Sequence, residues 1–367
     1  MRALLPYTPT LLPPEKIDFR VLSKPTGDAT ADLCRYDGLV QGIVNPSIFL
    51  SPLATQEAVL SSKIEGTQAT VDEVLEKEAG MKVEISKEQD VQEIINYREA
   101  LHKSREYLVD YPVTISFICG LHKTLLNSVR GNNRNPGKLR TDQNWIGRPG
   151  AAIEEASFVP PPPMRVRDHL EDLLTFLLQD EMDPLIQTAI GHAQFELIHP
   201  FDDGNGRIGR ILIPLFLFSK KRLSEPIFYI SAYLESHRDE YYDRLQAISK
   251  EGDWNGWIQF FLRAVSEQST INCNKIRRIM DFYEEMKTEL QDLTHSQYTI
   301  TVLDEIFSRP IFSSSDFVAR TGIPRPTANK LLYQIKDVGI LKELRSGSGR
   351  QPTVYAFPQL LGITESR

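Results

Sequence analysis

No run of 18 or more apolar residues occurs in this chain of 367, which argues against a membrane-spanning helix. Cysteine is scarce. Cys34, Cys119 and Cys273 stand far apart, are odd in number and form no CxxC pair, so neither a disulfide framework nor a zinc site is expected, and a reducing cytoplasm fits. The opening Met1-Arg2-Ala3-Leu4-Leu5-Pro6 leads into further prolines rather than an apolar segment, so no signal peptide is read there. Internal repeats and low-complexity tracts are missing, and alternation with period two is rare. What remains is an ordinary globular composition, long enough for two or three domains and ample for a sizeable core. The net charge of −7 is uneven. Residues 296–367 hold nine Lys/Arg against six Asp/Glu, so this tail is the basic part of an acidic chain and hints at an acidic partner.

Residues 1–40, rich in Pro, Thr and polar side chains, read as an extended arm with little helix of its own. From Ser51-Pro52 the spacing turns helical, with Leu53, Ala54, Ala58, Leu60 and Ile64 three to four apart, then Gly66 and a second stretch from Val71 to Glu78. Helical spacing continues over 88–109, 113–129, 165–180, 185–199, 205–220, 237–250, 254–268 and 270–293, so the body is mainly α. Segment 137–163 is the exception, with Gly137, Gly147, Gly150 and four consecutive prolines from Pro160. Asn144-Trp145-Ile146-Gly147 there suits a short strand of a hairpin in a binding loop. In the tail, helices over 300–307, 314–321 and 326–338 precede a hairpin of 340–345 and 352–357 around a Gly-Ser-Gly tip. That order is the one of a winged helix-turn-helix.

The densest chemistry lies between His199 and Arg210. Gly204, Asn205 and Gly206 tolerate unusual backbone angles, so successive N–H groups can converge on one concavity. A helix N-terminus follows at once and adds its unsatisfied donors. Arg207 and Arg210, one turn apart, supply two guanidiniums, and the ensemble suits a polyphosphate. Asp203 at the edge suits Mg2+, and His199 can take a proton near neutral pH. The stretch is neither a P-loop, since no Gly-Lys-Ser/Thr closes it, nor an EF-hand loop. Phe201 reads as a core anchor. His192, two turns before His199, reads as a packing residue rather than a metal ligand.

His199-Pro200-Phe201-Asp202-Asp203-Gly204-Asn205-Gly206-Arg207-Ile208-Gly209-Arg210 fits the motif HxFx(D/E)GNGRxxR of the Fic family, and the chain resembles that family over residues 1–270. Gly137–Gly147 is similar to the family's flap, and Tyr241-Tyr242 with Gly252–Phe261 to the helices behind its nucleotide site. The resemblance implies a Fic-type helical bundle with a small β-hairpin flap, followed by the winged helix-turn-helix. The expected division is an N-terminal arm and inhibitory helical region (1–110), a catalytic core (111–270), a linker helix (271–295) and the tail domain (296–367). The implied activity is protein adenylyltransfer: AMP passes from ATP to Ser, Thr or Tyr hydroxyls of target proteins, and of the enzyme itself, in the presence of Mg2+. His199 is then the base and Asp203 the Mg2+ ligand. Gly204, Asn205, Gly206, Arg207, Gly209 and Arg210 bind the phosphates, Tyr241 and Ser249 lie near adenine or ribose, and Asn144, Trp145, Ile146 and Gly147 align the target by strand addition.

Ser61-Ser62-Lys63-Ile64-Glu65-Gly66 is similar to the (S/T)xxxE(G/N) inhibitory motif that accompanies many Fic domains. Ser61 and Glu65 share a helix face, and the resemblance implies that Glu65 pairs with Arg210, with Gly66 closing the motif, so that ATP binds misaligned. The alternatives are removal of AMP, use of another nucleotide donor, or a DNA-binding regulator whose Fic domain senses nucleotide. In the tail Arg320, Arg325, Lys330, Lys336, Arg345 and Arg350 suit DNA phosphates, and Thr327 and Asn329 base edges, with a protein partner equally compatible. A homodimer is a further expected partner, and a membrane is not.

Overall fold

A computed structural model describes residues 5–128, 135–148, 150 and 152–365 of the chain; Met1–Leu4, Pro149 of the loop and Arg367 of the basic tail lie outside them. Among the described residues the body holds eleven α-helices: α1 (Phe19–Gln41), α2 (Pro46–Ile64), α3 (Val71–Glu78), α4 (Glu88–Asp110), α5 (Ile115–Leu125), α6 (Val166–Leu178), α7 (Pro184–Ile198), α8 (Asn205–Ser219), α9 (Ser231–Ser236), α10 (Arg238–Glu251) and α11 (Trp254–Thr294). At the centre, α7 packs on α8, and α4 and α2 also pack against α8. Nearly every residue of α7 and α8 is buried, as expected of helices apolar around their circumference. Asp183 accepts the Leu185 N–H at 2.8 Å and Pro184 occupies the first turn, so α7 has both start signals.

Residues 5–18 hold no helix, but from Phe19 on the segment is not the extended arm that its composition suggests. Asp18 caps α1 by accepting the Arg20 N–H, and Leu22, Ala29, Leu33, Tyr36 and Val40 form a buried stripe against α11. That stripe outweighs the poor helix propensity of Pro25 and two glycines. Helix α2 starts at Pro46 rather than at Ser51-Pro52, with Pro46 in the first position and Pro52 carried inside. The separate stretches 254–268 and 270–293 are one helix of 41 residues, about 60 Å long. No glycine or proline interrupts it at 269–270, so the expected junction between core and linker falls inside a continuous element.

Beyond α11 follow α12 (Thr299–Ser308), β1 (Ile311–Ser313), α13 (Ser314–Thr321), α14 (Arg325–Asp337), β2 (Lys342–Arg345), β3 (Val354–Ala356) and α15 (Pro358–Glu365). The strands form one antiparallel sheet in the order β1-β3-β2. The three helices and the hairpin lie where the sequence puts them, while β1 and α15 are additions. This unit packs on the body: α12 and α15 lie against α2, and α14 and α15 against α11. Tyr283 of α11 makes edge contacts with Phe49 of α2 and Phe307 of α12, with ring centroids 5.1 and 5.0 Å apart. The loop expected to hold a hairpin has a single antiparallel bridge, Ile146 to Phe158, and no longer strand among the described residues. The prolines from Pro160 onward lack the donors that a ladder needs.

Candidate functional site

Helix α7 ends because His199 adopts the left-handed conformation, φ 51° and ψ 61°, its N–H still bonded to the Phe195 carbonyl at 3.0 Å. A non-glycine residue held there is uncommon, and it is secured from outside. Buried Arg140 donates from Nε to the His199 carbonyl (2.9 Å) and from Nη2 to the carbonyls of Pro161 (2.5 Å) and Ile198 (3.4 Å). Its backbone N–H reaches the Pro200 carbonyl at 3.0 Å. The guanidinium thus satisfies carbonyls that the end of α7 leaves open and ties the loop to the turn.

The turn continues through fully buried Phe201, whose ring stacks on His122 with centroids 3.9 Å apart. His122 Nδ1 accepts the Gly137 N–H at 2.9 Å, so its Nε2–H donates to the Asp203 carbonyl at 3.0 Å. Asn205 accepts the Phe201 N–H at Oδ1 and donates from Nδ2 to the Phe201 carbonyl, both at 2.8 Å. Its side chain therefore braces the loop, and its backbone stands at the helix start. Gly204, at φ 76°, precedes α8 in a conformation that a side chain resists.

His199 Nδ1 lies 3.3 Å from the Glu196 carbonyl, which can only accept, so Nε2 is the nitrogen left to take a proton. Burial pushes the imidazole down to about 4, against the opposing pull of the Glu196 carbonyl and the Glu65 charge, so the ring is neutral at pH 7. Arg207, 4% exposed, donates to Glu93 Oε2 of α4 (2.5 Å) and to Asp203 Oδ1 (3.1 Å). Glu93 was not anticipated from the sequence. Its place in α4, far from the motif in sequence, gave no local signal.

Arg210, 1% exposed, is held by α2. Its Nε donates to Ser61 Oγ at 2.8 Å, and Nη2 donates to the Ser61 carbonyl at 2.9 Å and to Glu65 Oε1 at 2.7 Å. Burial alone would raise the Glu65 carboxyl, but the charge and hydrogen bond of Arg210, together with the charges of Arg207 and His199, outweigh it and hold Glu65 below its ordinary value. A Cβ on Gly206 would run into Glu65 Oε1, and one on Gly209 into Glu196 Oε1, so the glycine face of α8 is overlaid by two carboxyl groups. Glu196 was also missed. Burial pushes it up to about 8, its Oε1 has no partner among the described residues, and the nearby Arg210 charge pulls the other way. Gly66, at φ 96°, lets the chain leave α2 directly after Glu65.

Tyr241 is a core residue here: it is 1% exposed, and its hydroxyl donates to His192 Nε2 at 3.0 Å. His192 donates from Nδ1 to the Gly209 carbonyl at 3.1 Å, so its ring is spent on packing and on α8. Tyr242 is the exposed neighbour, with Arg238 over its ring. The Ser249 hydroxyl is turned back onto the Gln246 carbonyl of its own helix at 2.9 Å. In the loop, Asn144 Nδ2 donates to the Phe201 carbonyl at 3.0 Å, while Trp145 and Ile146 are exposed. Gly147 lies against the backbone of Ala156 across the bridge.

The helical body, with the turn ending in two arginines on α8, is the arrangement of a Fic protein. Residues 23–106 match the N-terminal domain of the Fic/DOC family and residues 112–217 the Fic/DOC family domain, together more than half of the chain, which belongs to that family. It is 30% identical over 198 residues to a probable protein adenylyltransferase of Aquifex aeolicus, covering 52% of this chain and 56% of that protein. It is 28% identical over 190 residues to the protein adenylyltransferase fic-1 of Caenorhabditis elegans, covering 50% of this chain and 31% of that one. The match thus spans about half or less of these relatives' length. A Fic family protein from Desulfovibrio desulfuricans G20 superposes with a TM-score of 0.60 at 22% identity, over 94% of this chain and 98% of that one. A Fic domain containing signaling protein from Bacteroides thetaiotaomicron gives 0.56 at 19%, over 69% and 97%; both likenesses concern the fold. Among the described residues no helix is long and apolar enough to cross a membrane.

Proposed function

We propose that this chain transfers AMP from ATP to Ser, Thr or Tyr hydroxyls of target proteins and of itself, and that Glu65 holds it inhibited. The observation that carries the reading is a neutral His199, fixed in a left-handed turn with Nε2 available, beside the Arg207–Arg210 face of α8. In the proposed reaction the hydroxyl oxygen attacks the α-phosphorus while its proton passes to His199 Nε2. The bond from that phosphorus to the bridging oxygen breaks, and pyrophosphate leaves. Arg207 and the N-terminal amides of α8 bind the departing charge, and Arg210 the terminal phosphate. With Arg210 held by Glu65, that phosphate cannot take its place, and a shift of about 1 Å at the reacting centre costs on the order of 100-fold in rate.

Asp203 suits Mg2+ as a single carboxylate, its side chain 45% exposed, beside a site for phosphates. Among the described residues no group of three or more His, Cys, Asp or Glu forms a metal cage, so the donor set fits an ion shared with substrate oxygens. Bound there, Mg2+ would neutralise phosphate charge. Exposed Trp145 and Ile146 are the apolar edge proposed to receive the target's backbone. We read the tail as a winged helix-turn-helix that takes DNA or a protein on the exposed Arg325, Asn329, Lys330 and Tyr333 of α14. Arg345 serves less well there, since Nη1 donates to the Gly80 carbonyl at 3.0 Å.

The test is incubation of wild type, Glu65→Gly and Glu65→Gly/His199→Ala with Mg2+ and ATP labelled on the α-phosphate. Strong protein-bound label in Glu65→Gly alone is expected. Equal label in wild type and Glu65→Gly removes the inhibition, and label in no variant removes AMP transfer.

A further inference from the structure

Helix α2 and the Glu65 cap at its end carry three polar side chains at four-residue spacing, Glu57, Ser61 and Glu65, which places them near one face. Ser61 and Glu65 hold Arg210. Glu57, two turns before Glu65, is 4% exposed and outside any ion pair with Arg210 among the described residues. Its Oε1 accepts the Ser231 hydroxyl at 2.6 Å and its Oε2 accepts the Ser231 N–H at 2.9 Å. Helix α4, which brings buried Tyr97, packs on α2. This face is thus bonded at two places, Glu57 to Ser231 and, further along, Ser61 and Glu65 to Arg210.

The two ends of this face differ. Glu57, Ser61 and Ser231 are sealed in the core, whereas the Glu65 side chain is a third exposed and is followed at once by Gly66. In the last turn Ile64 is buried in the core, while half-exposed Lys63 pairs with Glu235 at 2.8 Å, a kind of contact worth little. An apolar side chain could fill the Glu57 position without a desolvation cost, so a carboxyl there is not needed to bury α2. What its directional bonds add is register: they fix where along its axis α2 sits.

We propose that Glu57 is a positioning residue of the inhibition: by fastening α2 to Ser231, it sets the register at which Glu65 reaches Arg210. The proposal rests on the reading of Glu65 as inhibitory. Loss of the Glu57 bonds lets the end of α2 shift, and Glu65 leaves Arg210. Burial pushes the Glu57 carboxyl up to about 7, so a neutral side chain of the same shape is a close stand-in.

The experiment compares label from α-phosphate-labelled ATP in wild type, Glu65→Gly, Glu57→Leu, Glu57→Gln and Glu57→Leu/Glu65→Gly. Leucine keeps the volume and removes the bonds; glutamine keeps an acceptor for the Ser231 N–H and turns a donor to its hydroxyl. Glu57→Leu is expected to raise labelling about tenfold over wild type, and Glu57→Gln to stay within about twofold of it. The double variant should match Glu65→Gly, because a residue acting only through Glu65 has nothing left to position. Wild-type labelling in Glu57→Leu, with a fully active double variant, overturns the proposal and leaves the inhibition standing. A double variant weaker than Glu65→Gly assigns Glu57 to the fold or the catalytic centre and also overturns it. No gain in Glu65→Gly over wild type removes the inhibition and this proposal together.

Discussion

At the level of single residues, His199 gathers three constraints: a left-handed backbone, a carbonyl facing Nδ1, and burial that keeps the ring neutral. Each serves a base that must take a proton at Nε2. In the Glu65→Gly background, His199→Ala is expected to lower the labelling rate by at least about 100-fold with nucleotide binding retained, measured by single-turnover labelling and ATP titration. Asn205 and Tyr241 show the reverse case. Both have functional chemistry on paper, yet one is spent on the Phe201 backbone and the other on His192.

Among the elements, the most consequential junction joins the loop to the end of α7. Arg140 supplies it with four side-chain bonds to the carbonyls of Asp142, Pro161, Ile198 and His199. Burial lowers its guanidinium to about 10, a cost offset by those bonds. Arg140→Ala is expected to destabilise the protein by about 3 kcal/mol in urea unfolding, and Arg140→Lys to recover only part, since an ammonium cannot span the same acceptors. Helix α8 makes a second junction, through glycines. Gly206→Ala would press on Glu65 and Arg210 together, so both the inhibition and the binding of ATP should weaken, read as higher basal labelling with a raised KM.

For the whole molecule, continuity of α11 and the packing of α12 and α15 on α2 make the tail part of one cooperative structure. Calorimetry should show a single unfolding transition, with no separate step for residues 296–367. Its pH dependence follows from five buried groups. Burial lowers His122 and His199 to about 4 and His192 to about 3, so the unfolded chain binds protons near 6.5 that the folded one refuses. Stability therefore falls as pH drops from 6.5 toward 4. Burial raises Glu57 to about 7 and Glu196 to about 8, so the folded chain keeps protons that the unfolded one releases near 4.5. Stability falls again as pH rises through 7 to 8. Thermal denaturation should thus show its highest Tm at roughly pH 6 to 6.5.

The sequence by itself determined the helical class, most helix positions and the motif from His199 to Arg210, because helix periodicity and a Gly-Asn-Gly loop between helices are local signals. It also pointed to Glu65 as the partner of Arg210, through a short pattern that gained weight only beside the motif. Tertiary structure alone decided the rest. Helix α1 forms because α11 offers a long apolar surface, a fact that no window of 40 residues contains. Arg140, His122, Glu93 and Glu57 matter through partners at least 59 residues away in the chain: His199, Asp203, Arg207 and Ser231. Such hydrogen bonds and ion pairs have no sequence period, since they depend on where helices cross rather than on how each is built.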